Sequence, residues 1–274
     1  MKKINKKILL IASFFTSAAL YSADNEIYLE QSGATASIDI EQLGSGNIIG
    51  GLLSVAGTLT PLDLDGATMV LDINMIGSSN KFLGDIWADS FTGDYNFTGS
   101  SNTFTLQVDP ANTYGADSSD QQVDVTGTSN TFTLNQGTTA LAATLDLDWI
   151  IQGSNNTITS NINIDGATNY VDIDGSDNTL TYTGTGTTAS AGGYFYLDQT
   201  GGSRTFNIQQ LSTLDNDWLK VTSTGSSGTI CIVQNDQGTT TTCWYWWGIW
   251  GFRLRPDKAW VSGEWCRLSV FYTV

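Results

Sequence analysis

The feature that most constrains this chain is a short segment that it repeats, GSSNTFTL at 99–106 and GTSNTFTL at 127–134. Aligned on the first glycine, the motif recurs in seven copies, and the interval between neighbouring copies is always even. Even intervals fit inward and outward positions that stay in phase; the alternative is coincidence, since the connecting loops need not stay extended. Repeats at this scale are typical of architectures in which each unit buries its apolar face against its neighbours. The aligned glycines are Gly77, Gly99, Gly127, Gly153, Gly175, Gly201 and Gly225.

Apolar and polar residues alternate on both sides of each of these glycines, which predicts two strands joined by a tight corner. Gly and Asn suit the corner because they adopt positive φ at little steric cost. We therefore predict an all-β fold, a β-solenoid of stacked strand–arc–strand rungs of 22–28 residues over residues 77–232. A β-sandwich would explain the alternation but not the recurring motif. The predicted rung corners are Gly99, Asn102, Gly127, Asn130, Gly153, Asn156, Gly175 and Asn178.

The predicted interior consists of the apolar residues four positions before and five positions after each aligned glycine. They are Ile73, Tyr95, Val123, Trp149, Val171, Leu197 and Val221 before it, and Phe82, Phe104, Phe132, Ile158, Leu180, Phe206 and Ile230 after it.

The charge and the missing histidines exclude several classes of function. The chain has 11 Lys and Arg against 27 Asp and Glu, no His, and a net charge of −16. Phosphate binding needs basic residues, so no nucleic-acid partner is predicted. The absence of His removes Ser-His-Asp and Cys-His catalysis. Two carboxylates would suffice for a glycosidase, but no Asp stands apart from the repeat. We predict no enzymatic activity and no catalytic residue.

Residues 1–23 predict a secretory signal peptide, with a basic MKKINKK followed by the apolar ILLIASFFTSAAL and small residues. The apolar run is short for a membrane span, and an uncleaved anchor is the alternative. The predicted location is secreted, at the extracellular cell surface.

Residues 24–76 contain two further motifs, QSGATA at 31–36 and QLGSGN at 42–47. They resemble the curlin repeat, the Q-x-G-x-x-N unit of secreted curli-type fibre subunits. The matching residues are Gln42, Gly44 and Asn47 in the second motif and Gln31 and Gly33 in the first, where Ala36 replaces Asn. The resemblance implies a β-solenoid in which these residues stack and mediate assembly. It also implies export, and self-association or related fibre subunits and the cell surface or matrix as partners.

Threonine recurs at the outward positions after four successive corners, which predicts a flat Thr surface. The surface is similar to the Thr ladders of β-solenoid ice-binding proteins, and ice or carbohydrate is its predicted ligand. The alternative is that Thr is simply favoured on an exposed strand, because it is β-branched and polar. The residues are Thr103, Thr105, Thr131, Thr133, Thr157, Thr159, Thr179 and Thr181.

Asp172, Asp174 and Asp177, in VDIDGSDN, resemble a fragment of a calcium loop, in which carboxylates alternate beside a turn glycine. No Glu closes the loop at EF-hand spacing, and an acidic solvated face is the other interpretation. Calcium is the one cofactor candidate, and no other metal site is predicted.

The tail, residues 233–274, departs from the repeat and contains six of the nine Trp. It is either a cap or docking element or the product of a reading-frame shift near Thr242. Export permits a disulfide, and Cys231 with Cys243 would close a short loop.

These features together predict an exported structural or adhesive surface protein, a curli-like, fimbrial or amyloid fibre or biofilm-matrix subunit. The alternatives are a ligand-binding β-solenoid and a viral or cell-surface spike adhesin.

Overall fold

The computed structural model describes residues 25–50, 61–108, 118–137, 144–163, 166–186, 193–212 and 218–235, and the backbone of 259–261, 264–266 and 268–273. Regular structure within these ranges consists of β-strands. The strands are β1 Glu26–Ile27, β2 Glu30–Ser32, β3 Thr35–Leu43, β4 Ile48–Ile49, β5 Leu62–Ile76, β6 Lys81–Thr98, β7 Thr103–Val108, β8 Ser118–Thr126, β9 Thr131–Gln136, β10 Thr144–Gln152, β11 Thr157–Asn163, β12 Thr168–Asp174, β13 Asn178–Gly186, β14 Tyr194–Thr200, β15 Arg204–Ser212, β16 Trp218–Thr224, β17 Thr229–Asn235, β18 Ala259–Val261, β19 Glu264–Cys266 and β20 Leu268–Thr273.

The strands stack in parallel, each on the equivalent strand of the next rung, and only β18 and β19 pair antiparallel within the described ranges. One ladder runs through β4, the start of β6, β7, β9, β11, β13, β15 and β17. The other runs through β3, residues 68–76 of β5, the end of β6, β8, β10, β12, β14, β16 and β20. The predicted β-solenoid is therefore confirmed.

From the corner at Gly77 onward, the variation in rung length is confined to one side of the solenoid. Thr103 pairs with Lys81 on one side and with Thr131 on the other, although more chain separates it from Thr131 than from Lys81. The strands on both sides of each G-S-x-N-type corner keep their register through these changes. In these rungs the added residues therefore belong to the opposite arc. In the first described rung they instead lie between Ile49, which pairs with Phe82, and Leu62, which pairs with Gly84.

The core lies between the two ladders, because alternate residues of every strand point inward. Phe82 stacks on Phe104 with ring centroids 5.0 Å apart, and Phe104 lies 6.0 Å from Phe132. Tyr95 of the opposite ladder meets Phe104 edge-on at 5.0 Å, so the two ladders share one core. Thirteen of the fourteen predicted interior residues are buried, and the last, Ile230, is partly buried.

Residues 25–50 and 61–76 belong to the same stack as the later rungs. β3 pairs with β5 from Thr35 to Leu43, and β5 pairs with β6 from Leu62 to Ile76. The sequence separated these residues from the repeat array because the interval from the corner at Gly44 to the one at Gly77 is longer than any within the array. The predicted signal peptide, residues 1–23, lies outside the described residues.

Candidate assembly and ligand surfaces

The rung corner requires glycine for two reasons. Gly127 has φ of 148°, a conformation that residues with a Cβ rarely adopt. A Cβ at Gly127 would also lie 1.7 Å from the carbonyl oxygen of Gly99 on the preceding rung. A Cβ at the other corner glycines would likewise lie 1.7–2.0 Å from the carbonyl oxygen of the preceding corner glycine; these are Gly77, Gly99, Gly153, Gly175, Gly201 and Gly225. The glycines thus let successive corners stack in backbone contact.

In the corners up to Asn178, an asparagine closes the corner and hydrogen-bonds to the preceding rung. The backbone N–H of Asn130 donates to Oδ1 of Asn156 at 2.9 Å, and Nδ2 of Asn156 donates to the carbonyl of Gly127 at 3.2 Å. Equivalent N–H to Oδ1 bonds join Asn47 to Asn80, Asn80 to Asn102, Asn102 to Asn130 and Asn156 to Asn178. We call this series the Asn ladder; its members from 47 to 178 are at most 1% exposed.

The Asn ladder does not continue past Asn178, because the residue paired with it on the next rung is Arg204. Arg204 is 3% exposed, and its guanidinium donates to the carbonyl oxygens of Ser227 at 3.2 Å and Gly202 at 3.4 Å. The side chain thus contacts the corner backbone of its own and the following rung. All eight predicted corner residues lie at this edge of the solenoid.

The two curlin-like motifs do not stack on each other. Gln31 pairs with Leu64, whereas Gln42 pairs with Met75, so the two Gln lie on opposite ladders of the same rung. The two Gln side chains therefore do not stack on each other within the described rungs. Gly33 lies at the arc opposite the corner, below Gly66, whereas Gly44 and Asn47 belong to the corner stack. The two motifs are half a rung apart along the chain, so they lie on opposite sides of the solenoid, where the strands run in opposite directions.

The predicted Thr surface forms two registered columns, which we call the threonine face. Thr131 pairs with Thr103 and Thr157, and Thr133 pairs with Thr105 and Thr159. All eight predicted Thr point outward and are half-buried or exposed. The first column extends beyond the prediction to Thr205 and Thr229, but the second ends at Thr181, where Asn207 follows. The face is thus regular over the rungs from β7 to β13.

The opposite ladder presents an acidic face, the outward side of β3, residues 68–76 of β5, the end of β6, and β8, β10, β12, β14 and β16. Partial burial raises the pKa of Asp94, and the charges of Asp72 and Asp124 raise it further. Partial burial, followed by the charges of neighbouring Asp residues, likewise raises the pKa of Asp148 and Asp172. The carboxylates of successive rungs therefore repel one another along the stack.

The calcium candidate falls within this acidic region. Asp172 and Asp174 follow each other on the outward side of β12, and Asp177 occupies the positive-φ position of the corner, with φ of 59°. Among the residues that the structure describes, no group of three or more acidic, Cys or His side chains has the arrangement of a metal site. Calcium binding stays a prediction.

The two ends of the described stack leave part of the core uncovered. At the first rung the inward-facing Ile27, Leu29 and Ile38 are only partly buried. At the other end the same holds for Ile230 and Ile232 of β17. Within the described ranges, β1, β2, β3 and β17 each pair on one side only. Both ends therefore combine open strand edges with accessible apolar side chains, at the first rung on both ladders and at the other end on β17, since β20 covers β16.

Cys231 of β17 is disulfide-bonded. Its predicted partner, Cys243, lies outside the described residues, as do the side chains of the aromatic tail. The disulfide ties β17 to another part of the chain.

No protein-family model, curated protein or solved structure matches the chain. A membrane-spanning helix is absent from the part of the chain that the structure describes. The faces, corners and ends of the solenoid are therefore the features that bear on function.

Proposed function

We propose that the protein is an exported structural or adhesive surface protein whose subunits stack end to end into a curli-like fibre or biofilm matrix. The observation that carries this proposal is the open core at both ends of the described stack. Ile38 at one end and Ile232 at the other are partly exposed although they point inward. A second subunit that adds a rung would cover them as an internal rung does.

End-to-end stacking would pair the open strand edges and cover the accessible apolar side chains at the two ends. Unpaired edge strands are templates for the pairing of another chain unless something blocks them. Each added rung would also remove apolar area from water, at about 25 cal/mol per Å². Parallel rungs of one sequence type are the arrangement found in cross-β assemblies, in which backbone groups pair above and below.

Export and surface location rest on the predicted signal peptide, and adhesion rests on the resemblance to curlin repeats. The shared corner geometry supports that resemblance in part. Gly44 and Asn47 of the full curlin-like motif belong to the same corner stack as the later G-S-x-N copies. The two motif types are therefore variants of one corner.

The test uses two charged variants, one at each end, in the mature chain from residue 24 onward. Ile38→Lys places a charge at the first-rung end, where a second subunit would stack, and Ile232→Lys places one at the other end, on β17. Each variant alone should stay monomeric in analytical ultracentrifugation, because a buried unpaired charge is costly. An equimolar mixture should form dimers and stop there, since each variant retains one intact end.

The matched control is Ser37→Lys, which adds the same charge on the outward side of the same strand. This variant should polymerise like the unaltered chain. Polymerisation of Ile38→Lys, or an unaltered chain that stays monomeric at all concentrations, would refute stacking. Dimers in the mixture also show that both variants are folded.

A second candidate function is ligand binding by the threonine face, favoured by the Thr columns in register from β7 to β13. Ice is the ligand that a flat, repeated Thr array resembles most, with carbohydrate as the other candidate. Thermal hysteresis that disappears in Thr133→Tyr would support ice binding. Absence of hysteresis in the unaltered monomer would exclude it.

A further inference from the structure

Four large aromatic side chains lie together on the outward side of the acidic face, near its C-terminal end. We call Tyr170, Tyr194, Tyr196 and Trp218 the aromatic patch. Tyr170, Tyr194 and Trp218 are 39%, 42% and 46% exposed, and Tyr196 is half-buried. The ring of Trp218 lies 6.3 Å from that of Tyr194 and 6.5 Å from that of Tyr196. The rings therefore form one surface across β12, β14 and β16.

The strand register explains why these residues meet. Tyr194 pairs with Trp218, and Tyr170 pairs with Tyr196, so the patch consists of two neighbouring outward columns. None of the four rings contributes to the core, since outward positions of a strand face solvent. A group of exposed aromatic side chains on a sheet face is typical of a binding surface.

Carboxylates frame the patch on two sides. Asp148 precedes Tyr170 in the same column, and Asp172 and Asp198 form the adjacent column. Partial burial, followed by the charges of Asp172, Asp198 and Asp148, raises the pKa of the Tyr170 hydroxyl. Lys220, which follows Tyr196 in its column, is a basic residue beside the rings. The patch therefore combines flat apolar rings with a negative border.

We propose that the aromatic patch binds a polysaccharide of hexopyranose units that carry free amines. The aromatic rings offer flat faces to the C–H side of sugar rings, and the bordering carboxylates offer partners to the ammonium groups. Ammonium groups over the rings add cation–π attraction. Anionic polymers are disfavoured, because the chain carries a net charge of −16.

The shape of the patch favours a polymer over a single sugar. The rings lie on an open sheet face instead of in a closed pocket, and a single sugar would leave most of the patch uncovered. From β12 to β16 the patch extends about 10 Å along the stack, two rung spacings of about 4.8 Å. Successive units of one chain can therefore contact different rings.

This site does not depend on end-to-end assembly, because all four residues belong to one subunit. It is also distinct from the threonine face, which lies on the opposite ladder. The two proposals can therefore fail separately: the Ile38→Lys chain is expected to be monomeric and to retain the patch unchanged.

The test measures calorimetric binding of a glucosamine oligomer to the full mature chain carrying Ile38→Lys, at about pH 6, where free Asp carboxyls are ionised. Adding Tyr194→Ala and Trp218→Ala should weaken binding about tenfold, the size expected from loss of ring stacking. Trp87→Ala should leave it unchanged, because Trp87 is 42% exposed but lies outside the patch.

A second pair of variants tests the border. A triple variant that removes the border carboxylates should weaken binding; its changes are Asp148→Asn, Asp172→Asn and Asp198→Asn. The control triple variant removes equal charge from a part of the same face without aromatic residues and should weaken binding less; its changes are Asp39→Asn, Asp72→Asn and Asp94→Asn. The N-acetylated oligomer, which lacks the charge, should bind more weakly than the amine. Any one of three results would overturn the proposal. The two sugar oligomers could bind equally well, the two Asp triple variants could lose affinity equally, or a lysine oligomer could bind as tightly as the glucosamine oligomer.

Discussion

The backbone N–H of Asn102 donates a 2.8 Å hydrogen bond to Oδ1 of Asn130, the equivalent residue of the next rung. Both residues are 1% exposed, so the bond forms out of contact with water. Nδ2 of Asn130 in turn donates to the carbonyl of Gly99 at 3.1 Å. One side chain therefore satisfies two backbone groups of the rung before it, which makes the corner a device for stacking.

Replacing Asn130 by Ala should lower the free energy of unfolding by about 1–3 kcal/mol, because it leaves the buried N–H of Asn102 without an acceptor. Urea denaturation followed by circular dichroism measures the change. Thr131→Ala, on the adjacent exposed position, is the control and should change stability by less than about 0.5 kcal/mol. Equal effects of the two changes would show that the Asn ladder does not stabilise the stack.

Replacing Gly127 by Ala should be much more destabilising than replacing Gly44 by Ala. Both glycines have positive φ, 148° and 115°, so both variants carry backbone strain of about 1–3 kcal/mol. Only at Gly127 does the new Cβ meet backbone, 1.7 Å from an oxygen, whereas at Gly44 the nearest atom is 3.7 Å away. Thermal melting of the two variants should separate them clearly; the same midpoint for both would contradict the stacked corner.

Truncating Phe104 to Ala should lower the free energy of unfolding by about 3–5 kcal/mol, the cost of removing a buried aromatic ring and leaving a cavity. Phe104 touches Phe82, Tyr95, Phe97 and Phe132 and is completely buried. Phe104→Leu keeps most of the volume and should cost less. A loss for Phe104→Ala no greater than for a surface change would mean that the two ladders do not share this core.

Mild acid should stabilise the fold, because folding raises the pKa of Asp94, Asp148 and Asp172. An acid whose pKa is raised in the folded state binds protons more readily there than in the unfolded chain. Its contribution to stability is therefore full below the unfolded pKa of about 3.9 and disappears as pH rises through the folded pKa. Melting midpoints between neutral pH and about pH 4 measure this.

The matched control for the pH effect is the triple change of Asp94, Asp148 and Asp172 to Asn. This variant should melt higher than the unaltered chain at neutral pH and gain less on acidification. Added salt should narrow the difference, since it screens exposed charges. A melting midpoint that falls steadily from neutral pH to about pH 4 in the unaltered chain would contradict the repulsion.

The sequence predicted the interior and the corners well, because both depend on local pattern. Phe104 follows its corner glycine by a fixed number of residues, so alternation alone assigns its face. The sequence does not assign the corner at Gly44 to the repeat array, because the interval between Gly44 and Gly77 is longer than any interval within the array. Gln31 and Gln42 lie on different ladders, because a spacing of half a rung repeats the motif on the opposite side of the solenoid. Their role in assembly stays a prediction.

The aromatic patch and the Asn ladder could not be predicted in the same way. Tyr194 and Trp218 lie a whole rung apart along the chain, and their contact depends on how much sequence the intervening arc absorbs. The Asn ladder depends on a backbone N–H of one rung and a side-chain oxygen of the next. Both require the register between rungs, which the repeat suggests but only the pairing of the strands determines.

Electron microscopy with fibre diffraction on the mature chain, with and without residues 243–274, tests end-to-end stacking most directly. We expect unbranched fibres with a meridional reflection at about 4.8 Å, the spacing of hydrogen-bonded strands stacked along the fibre axis. Isolated short particles in both preparations, at every concentration and salt condition, would contradict the proposed assembly.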